Sequence, residues 1–309
     1  MDKLKKVMIF IPAFNEEASI VTVIDKVQEL YPEERTRLKG YIIEILVVND
    51  GSQDKTEEIV LSKNVALISH PKNLGLGAAT RTGMETAYEM GADAAVKLDA
   101  DFQHDPEDIE KVIIPLLENK ADICWGSRFA GHIEYKMPFT RYVGNHFFTW
   151  LMNRLTDYDI SDAQTGLMAY GRKYLAVFEL HGNYNPPQQL LMDANYKHMR
   201  YAEVPVVFHE RTKGESFVSL KYPFKVIPNM IRVMIFANPM KIFGCLGLLM
   251  ILLSLSIVSF WTLGALLDNP SLQHIPILSI SNLALILFIS GLQTLFFGIL
   301  ADLIVKKRK

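Results

Sequence analysis

The sequence predicts an α/β domain built on a parallel sheet with helices on both faces, followed by a hairpin of two membrane-spanning helices. Over residues 1–215, short apolar runs alternate with longer charge-bearing segments, as in sheets whose strands are joined by helices. Polar residues directly follow several of these runs, where such sheets bind ligands. Ile242–Leu267 and Ile277–Ala301 carry no charged residue, and each exceeds the roughly 20 residues that a helix needs to cross a bilayer.

The elements of the α/β domain follow from the order of apolar and charged residues. The predicted strands are Val7–Ile11, Ile42–Val48, Val65–Ile68, Ala94–Leu98 and Ile123–Trp125. Asp105 as an N-cap and Pro106 at the first helical position predict where the last helix of this series begins. The predicted helices are Glu16–Leu30, Asp54–Leu61, Gly77–Met90 and Glu107–Glu118.

Two carboxylates stand at the end of the fourth predicted strand. Asp99 and Asp101 are two residues apart, and since side chains alternate along a strand, both project from the same edge. Paired oxygen ligands suit Mg²⁺ or Mn²⁺, which fills its other positions with water and substrate phosphate oxygens, and Gln103 could add a neutral oxygen. A polar loop is the alternative. Further polar clusters at strand ends, residues 15–17 and 49–52, favour a binding site.

The flanking charges predict the orientation of the two spans. Lys241 precedes the first span and residues 306–309 (Lys-Lys-Arg-Lys) follow the second, whereas residues 268–276 contain no Lys or Arg. Positive flanks stay in the cytoplasm. We therefore expect an integral membrane protein with its N-terminal domain and both termini cytoplasmic. The charged N-terminus predicts no signal peptide.

Residues 216–240 are predicted to lie on the membrane surface. No acidic residue occurs from Ser216 to Leu267, while Lys221, Lys225 and Arg232 punctuate an apolar stretch. A basic amphipathic segment suits an anionic bilayer surface, and the adjoining span favours this interpretation over an ordinary surface helix. The sequence thus divides into a domain of residues 1–215, an interface segment of 216–240 and a hairpin of 241–309.

Composition restricts the partners. The formal net charge of −2 argues against general nucleic-acid binding. The two cysteines, Cys124 and Cys245, fall in the polar domain and in a span, so no disulfide framework is expected, as in a reducing compartment. Gly244, Gly247 and Gly264 permit close helix contact, so the sequence allows a homo-oligomer that forms through the spans.

Five short motifs follow one another in a fixed order between about residues 7 and 216. They are Ile11–Glu17 (IPAFNEE), Val47–Asp54 (VVNDGSQD), Asn73–Gly77 (NLGLG), Asp99–Asp101 (DAD) and Gly126–Phe129 (GSRF). In this order they resemble the family 2 glycosyltransferases, whose fold is the nucleotide-diphospho-sugar transferase fold (GT-A, Rossmann-like). Each motif alone is weak, but the combination is specific.

Two further matches are narrower. Asp162–Tyr170 (DAQTGLMAY) fits a D-x-x-[ST]-G pattern, and Glu203–Val206 with Arg211–Ser216 fits an end-of-domain signature. Together with the two-span hairpin, they resemble the polyprenyl-phosphate sugar transferases, the dolichol-phosphate mannosyltransferase-like group. The chain departs from that group's pattern on the acceptor and sugar sides, at Leu167-Met168, Gln188-Gln189 and Phe217.

The resemblance implies an inverting, metal-dependent transfer of a hexose-type sugar to a membrane polyprenyl or dolichyl phosphate. The donor is a nucleotide-diphosphate sugar, with a UDP-sugar favoured and GDP-mannose as the other choice. Asp50 would accept a hydrogen bond from the base, while Asp99, Asp101 and Gln103 would hold Mg²⁺ or Mn²⁺ on the pyrophosphate. The other implied nucleotide-binding residues are Pro12, Ala13, Asn15, Glu17 and Ala100.

The acceptor phosphate would be bound by arginines, because the guanidinium fork binds phosphate through two hydrogen bonds. The matching positions are Arg128, Arg141 and Arg211, with Ser216 beside the last. Asp162 would orient the acceptor region or, with a hydroxyl acceptor, serve as the base. The catalytic residues that the resemblance implies are Asp101, Arg128 and Asp162.

Two other functions remain open. One is a membrane glycosyltransferase that acts on a lipid or polysaccharide hydroxyl, although the Q-x-x-R-W motif of processive synthases is missing from the sequence. The other is a noncatalytic membrane adaptor of the same fold. Intact Asp99, Asp101 and Arg128 argue against the adaptor.

Overall fold

The chain forms two units, Met1–Asn229 and Met230–Lys309, which are described separately below. Arg211, Ser216 and nearly all of the predicted interface segment lie outside the described residues, so the predictions made for them stay predictions. The computed structural model describes residues 4–180, 182–183, 186–210, 239–266 and 277–307.

Within the described residues, the first unit contains a seven-stranded sheet with the order β3-β2-β1-β4-β6-β5-β7. Its strands are β1 (Lys5–Ala13), β2 (Tyr41–Asn49), β3 (Ala66–Ser69), β4 (Ala94–Lys97), β5 (Ile123–Ile133), β6 (Met168–Gly171) and β7 (Tyr201–Phe208). β1 pairs in parallel with β2 and β4, and β2 with β3. All five predicted strands are present, and β5 is longer than expected.

The expectation of an all-parallel sheet is wrong at β6. This strand runs antiparallel to both of its neighbours, β4 and β5, so the sheet is mixed. β5 and β7 pair in parallel. The connection between β5 and β6, which contains α6, explains this direction: it begins and ends at the carboxyl edge of the sheet, so β6 starts from the edge at which β5 ends. The antiparallel direction brings residues 161–167, just before β6, to the carboxyl ends of the parallel strands.

The helices surround the sheet. Asp105 caps a 3₁₀ turn, Pro106–Asp108, by accepting the backbone N–H of Glu107 at 2.9 Å, which confirms the predicted cap ahead of α5. The helices are α1 (Ile20–Leu30), α2 (Glu33–Leu38), α3 (Thr56–Leu61), α4 (Leu76–Glu89), α5 (Ile109–Leu117), α6 (Phe139–Leu155), α7 (Arg172–Leu175) and α8 (Pro186–Tyr196).

The core is centred on β1, which is buried from Val7 to Ala13. One face of the strand joins an apolar cluster that includes Ile24 of α1 and Ile113 of α5. On the other face, Gly83 of α4 admits the ring of Phe10, because a Cβ at that position would lie 2.6 Å from Phe10 Cγ. Burial on both faces is typical of parallel strands and gives the loops at their ends a rigid support.

The second unit is a pair of long helices, α9 (Pro239–Leu266) and α10 (Ile277–Lys307). They contain candidate membrane spans at Pro239–Gly264 and Ser281–Ile304. The two predicted apolar helices are therefore confirmed.

The two helices of this unit pack through small residues. A Cβ at Gly247 would lie 2.7 Å from the carbonyl oxygen of Gly291, so the backbones approach closely there. Ser254 Oγ donates a hydrogen bond to the carbonyl of Ala284 at 2.7 Å. Gly247 is thus used inside the hairpin, and it does not present the free surface that the predicted contact between copies requires.

Candidate active site

The polar clusters at the strand ends meet at the carboxyl edge of the sheet. β1, β2 and β4 run in parallel, so their last residues, Ala13, Asn49 and Lys97, lie at this edge. β5 runs in the same direction, because β4 and β5 are both antiparallel to β6. The loop of residues 161–167 reaches the same edge. This edge is the candidate active site.

Asp50, predicted to bind a base, is buried and holds a glycine loop. Its carboxylate accepts the backbone N–H groups of Leu74 at 3.0 Å and Gly75 at 2.8 Å. Nδ1 of His70 lies 2.7 Å from Asp50 Oδ1, and Nε2 of the same ring lies 2.9 Å from Thr82 Oγ1 on α4. Asp50 therefore fixes the loop that enters α4, a role that the sequence did not indicate. Its contact with a base stays a prediction.

A cleft of about 430 Å³ opens beside this loop. Gly51 has a φ of +71°, and a Cβ there would lie 2.6 Å from Lys72 Cα, so only glycine lets the two loops come this close. Aromatic, amide and imidazole groups of this kind suit a nucleotide base and its ribose. The lining side chains come from three loops and include Phe14, Ser52, Gln53, His70 and Asn73.

Asn15 and Glu17 join the first loop of the site to the second. The side-chain oxygen of Asn15 accepts the N–H of Gln53 at 2.8 Å, and the carboxylate of Glu17 accepts the N–H of Lys55 at 3.0 Å. The backbone N–H groups of Asn15 and Glu17 donate back to side chains of the second loop, at 3.0 and 3.1 Å. Both residues thus hold together the two loops that flank the cleft.

Pro12, Ala13 and Ala100 are buried at the ends of β1 and β4. The carbonyl of Ala13 accepts the N–H of Asp50 at 2.8 Å. These three residues bring no charged or polar side chain, so the nucleotide contacts predicted for them would depend on the shape of the strand ends.

Asp99 and Asp101 follow β4 at the edge, in the predicted place. Asp101 Oδ1 accepts the N–H of Gln103 at 3.1 Å, in a turn where Phe102 has a φ of +57°. Asp99 Oδ1 is paired with the ammonium of Lys97, whose side chain is buried. Lys97 lies two residues before Asp99 and therefore on the same face of the strand. It adds to the acidic pair a fixed positive charge that sequence reasoning missed.

The donor set fits a divalent cation that also binds substrate. Asp99 and Asp101 offer carboxylate oxygens, and Gln103 lies in the same turn, all hard ligands of the type that Mg²⁺ and Mn²⁺ take. Gly166 leaves a space next to Asp99, since a Cβ there would lie 2.9 Å from Asp99 Cγ. Among the described residues, no three His, Cys, Asp or Glu side chains are grouped to hold a metal. Phosphate oxygens and water would have to complete the coordination.

His104 supports the acidic pair as a neutral ring. Burial lowers the pKa of His104 from 6.5 to about 3. Its Nε2 accepts the N–H of Gly166 at 3.0 Å, which places the ring proton on Nδ1, and Nδ1 has no hydrogen-bond partner within the described part of the chain. The ring packs on Phe208 with centroids 4.9 Å apart. His104 thereby connects the acidic loop to the end of β7.

Arg128 of β5 and Asp162 form a buried ion pair. Nε and Nη2 of Arg128 donate to the two carboxylate oxygens at 2.6 and 2.8 Å, and the side chains are 3% and 0% exposed. Burial alone would raise the pKa of Asp162, but the guanidinium and the N–H donors outweigh it and hold the pKa below its ordinary value. Asp162 is therefore an anion that orients Arg128, and it is poorly suited to accept a proton.

Glu203 of β7 clamps the loop that carries Asp162. Its carboxylate accepts the backbone N–H groups of Ser161 and Asp162, both at 3.0 Å, and the hydroxyl of Ser161 at 2.7 Å. Glu203 of β7 therefore fixes the loop of residues 161–167, and Asp162 of that loop in turn fixes Arg128 of β5. The sequence marked Glu203 as part of a motif but did not indicate this role.

Phe208, the last residue of β7, contacts both of the predicted acceptor-site arginines that the structure describes. The guanidinium carbon of Arg128 lies 5.0 Å from the ring centroid, and that of Arg141 lies 5.8 Å away. Because His104 packs on the same ring, the arginines stand beside the loop of Asp99 and Asp101. A single Phe at a strand end resembles a core residue in sequence, so no pattern revealed Phe208.

Comparison with known proteins identifies one family. The family model for glycosyl transferase family 2 matches residues 8–178. A UDP-N-acetylglucosamine–dolichyl-phosphate N-acetylglucosaminyltransferase from Methanococcus voltae is 34% identical over 223 residues, which is 65% of this chain and 85% of the relative. A dolichol-phosphate mannosyltransferase from Pyrococcus furiosus is 30% identical over 239 residues, 74% of this chain and 64% of that relative.

A solved structure shares the fold. Glucosyl-3-phosphoglycerate synthase from Mycobacterium tuberculosis, in complex with Mn²⁺, UDP-glucose and phosphoglyceric acid, superimposes with a TM-score of 0.58. The likeness covers 75% of this chain and 79% of that chain at 19% identity, so it bears on the fold alone. It confirms the predicted GT-A architecture. Since the family model spans more than half of the 309 residues, the chain belongs to glycosyltransferase family 2.

Proposed function

We propose that this glycosyltransferase transfers a hexose-type sugar from a nucleotide-diphosphate sugar to a polyprenyl or dolichyl phosphate in the membrane. The observation that carries the proposal is the placement of Arg128 and Arg141 around Phe208, next to the acidic loop of Asp99 and Asp101. Cationic and acidic groups side by side suit two phosphate-bearing substrates, one bound by arginine and the other through a cation. The named activities of the two archaeal relatives support the same reaction class.

The donor would occupy the cleft beside Gly51, with its pyrophosphate toward the acidic loop. Asp99, Asp101 and Gln103 would hold Mg²⁺ or Mn²⁺, which when bound neutralises charge on the departing nucleoside diphosphate. Lys97 offsets part of the repulsion between the acidic pair and the donor phosphates. A UDP-sugar is favoured over GDP-mannose.

The acceptor requires orientation more than activation. A phosphate monoester is already an anion near neutral pH, so its oxygen attacks the anomeric carbon directly while the bond to the nucleotide oxygen breaks, and no proton is removed. Arg128 and Arg141 would align that oxygen. A single displacement of this kind inverts the anomeric centre.

The hydroxyl-acceptor alternative requires a general base. Asp162 is the residue named for that role, and its burial against Arg128 opposes it. This pairing favours the phosphate acceptor. The adaptor alternative would leave the buried charges of Lys97, Arg128 and Asp162 without a use.

The test uses the full chain in detergent with polyprenyl phosphate, Mg²⁺ or Mn²⁺, and a panel of radiolabelled nucleotide sugars. The readout is label extracted into the organic phase, and Asp101→Asn is the control. We expect metal-dependent transfer from one donor, abolished in Asp101→Asn, and a β-linked product from an α-linked donor.

Two results would contradict the proposal. Absence of transfer from every donor, with nucleotide still bound, would point to a hydroxyl acceptor or an adaptor. An α-linked product, detected by NMR, would exclude the single displacement.

A further inference from the structure

Helix α6 exposes an apolar face to its surroundings. Phe139, Val143, Phe147 and Trp150 recur at a spacing that puts them on one side of a helix, and they are 79%, 47%, 46% and 54% exposed. The opposite side packs into the first unit through buried Asn145, Phe148, Thr149 and Met152. The helix is thus apolar on two sides, and the packing of the unit accounts for only one of them. We call the four exposed residues the α6 face.

The charged residues of α6 and of the segment just before it have a single sign. Residues 135–156 contain no Asp or Glu, but they contain Lys136, Arg141 and Arg154. The guanidinium carbon of Arg154 lies 5.8 Å from the centroid of the Trp150 ring. By contrast, α3 carries two glutamates in its first turn and no Lys or Arg. Large aromatic side chains with cations at their border are typical of segments that lie at a membrane surface.

We infer that the α6 face binds the surface of an anionic lipid bilayer. The positive charge of this segment is complementary to anionic headgroups. The same chain also carries two candidate membrane spans, which would keep the first unit close to a bilayer. The inference does not require the proposed sugar transfer. If the α6 face does bind lipid, the proposed transfer is affected in one way. Arg141 lies in the first turns of α6 and contacts Phe208, so lipid contact along α6 would hold the acceptor side of the site at headgroup level.

The test places a fluorophore on the α6 face of the full chain. In a Cys245→Ser background, Phe147→Cys is labelled with an environment-sensitive probe and the protein is reconstituted in vesicles of zwitterionic and anionic lipid. Part of the lipid carries a nitroxide quencher just below the headgroup. Burial raises the pKa of the Cys124 thiol to about 12, so this cysteine stays unlabelled. The matched control is Leu61→Cys, because Leu61 is 69% exposed and lies on the acidic helix α3.

We expect blue-shifted emission and at least about twofold quenching at position 147, and neither at position 61. Adding Val143→Glu and Trp150→Glu, or omitting the anionic lipid, should weaken the quenching at position 147. Emission at 147 as water-exposed as at 61 would overturn the inference. A probe at 147 that is shielded from water but not quenched by lipid would also overturn it, since the chain itself or a second copy would then cover the face.

Discussion

Single residues organise this site mainly through buried charge pairs. Arg128 and Asp162 place both charges where water is excluded, and Lys97 joins a buried ammonium to the partly exposed carboxylate of Asp99. Such pairs add little net stability, because desolvation opposes their attraction, but removing one partner leaves a buried charge unpaired. They fix geometry instead, and their loss should affect folding and transfer to different extents.

Asp162→Asn tests the first of these effects. The variant leaves the guanidinium of Arg128 buried without its counter-ion, so the free energy of unfolding should fall by about 3–5 kcal/mol. Denaturation of the full chain in detergent measures it. Arg128→Met combined with Asp162→Leu should recover much of the stability yet show no transfer. A stable, fully active Asp162→Asn would refute the assigned role.

Glu203→Gln tests the clamp on the same loop. Its new NH₂ group would face the backbone N–H groups of Ser161 and Asp162, shift the loop, and displace Arg128 indirectly. Since misplacement by about 1 Å can cost on the order of 10²-fold, we expect kcat to fall about 10- to 100-fold while nucleotide affinity stays unchanged. Glu44→Gln is the control, because Glu44 pairs with Lys6 at the surface. Equal effects of the two substitutions would count against the clamp.

Sequence reasoning could propose candidate site residues only at the ends of predicted strands, and it did not indicate the residues that reach the same edge through distant contacts. Asp99 and Asp101 could be proposed as metal ligands because a carboxylate pair after an apolar strand is a local pattern, and the structure places both at the carboxyl edge of the sheet. Lys97 looks like an ordinary strand residue until its burial is known, and Phe208 acquires a role only from the rings and guanidinium groups that other elements bring to it.

At the scale of elements, the loop after β2 depends on a glycine that no other residue can replace. Gly51→Ala introduces a Cβ 2.6 Å from Lys72 Cα at a positive φ, whereas Gly40 also has a positive φ but faces open space. We expect Gly40→Ala to cost about 1–2 kcal/mol in stability and to leave UDP binding intact. Gly51→Ala should abolish UDP binding measured by calorimetry. Undiminished binding by Gly51→Ala would show that the cleft is not the nucleotide site.

The hairpin offers a similar matched pair. Gly247→Ala places a methyl group 2.7 Å from the carbonyl oxygen of Gly291, while the new methyl group of Gly244→Ala meets the flexible side chain of Met240 at ordinary contact distances of 3.6 and 3.9 Å. Overpacking of this kind typically costs 1–3 kcal/mol, so Gly247→Ala should speed hydrogen exchange along α9 in detergent. Gly244→Ala should exchange like the parent chain. If Gly247→Ala instead changed only the association of copies, the assignment of this contact to the hairpin would be incorrect.

The elements that sequence reasoning missed have weak or misleading local patterns. β6 is four residues long, and its antiparallel direction is set by its neighbours, not by its own pattern. β7 contains Pro205, which argues against a strand in the interior of a sheet and is tolerated because β7 lies at the edge. α6 is apolar on two sides, so the helical periodicity of its hydrophobic residues is weak. The central strands, in contrast, are continuous apolar runs bounded by polar clusters.

At the scale of the whole molecule, the chain combines a GT-A sheet with a pair of candidate membrane spans. The proposed acceptor explains the combination, because a polyprenyl chain stays in the bilayer while its phosphate and the nucleotide sugar are polar. A nucleotide-sugar donor made in the cytoplasm requires the site on the same side, which makes the orientation of the spans a condition for the proposed function.

The predicted orientation rests on a charge asymmetry: Lys241 and residues 306–309 are basic, and residues 268–276 lack Lys and Arg. In a Cys245→Ser background, Ser271→Cys should react with a membrane-impermeant maleimide added outside intact cells. Leu38→Cys, at a position that is 91% exposed on α2 of the first unit, should react only after lysis. The reverse pattern would place the candidate active site outside the cell, away from a cytoplasmic donor. Equal reaction of both sites in intact cells would mean that the charge difference does not fix one orientation.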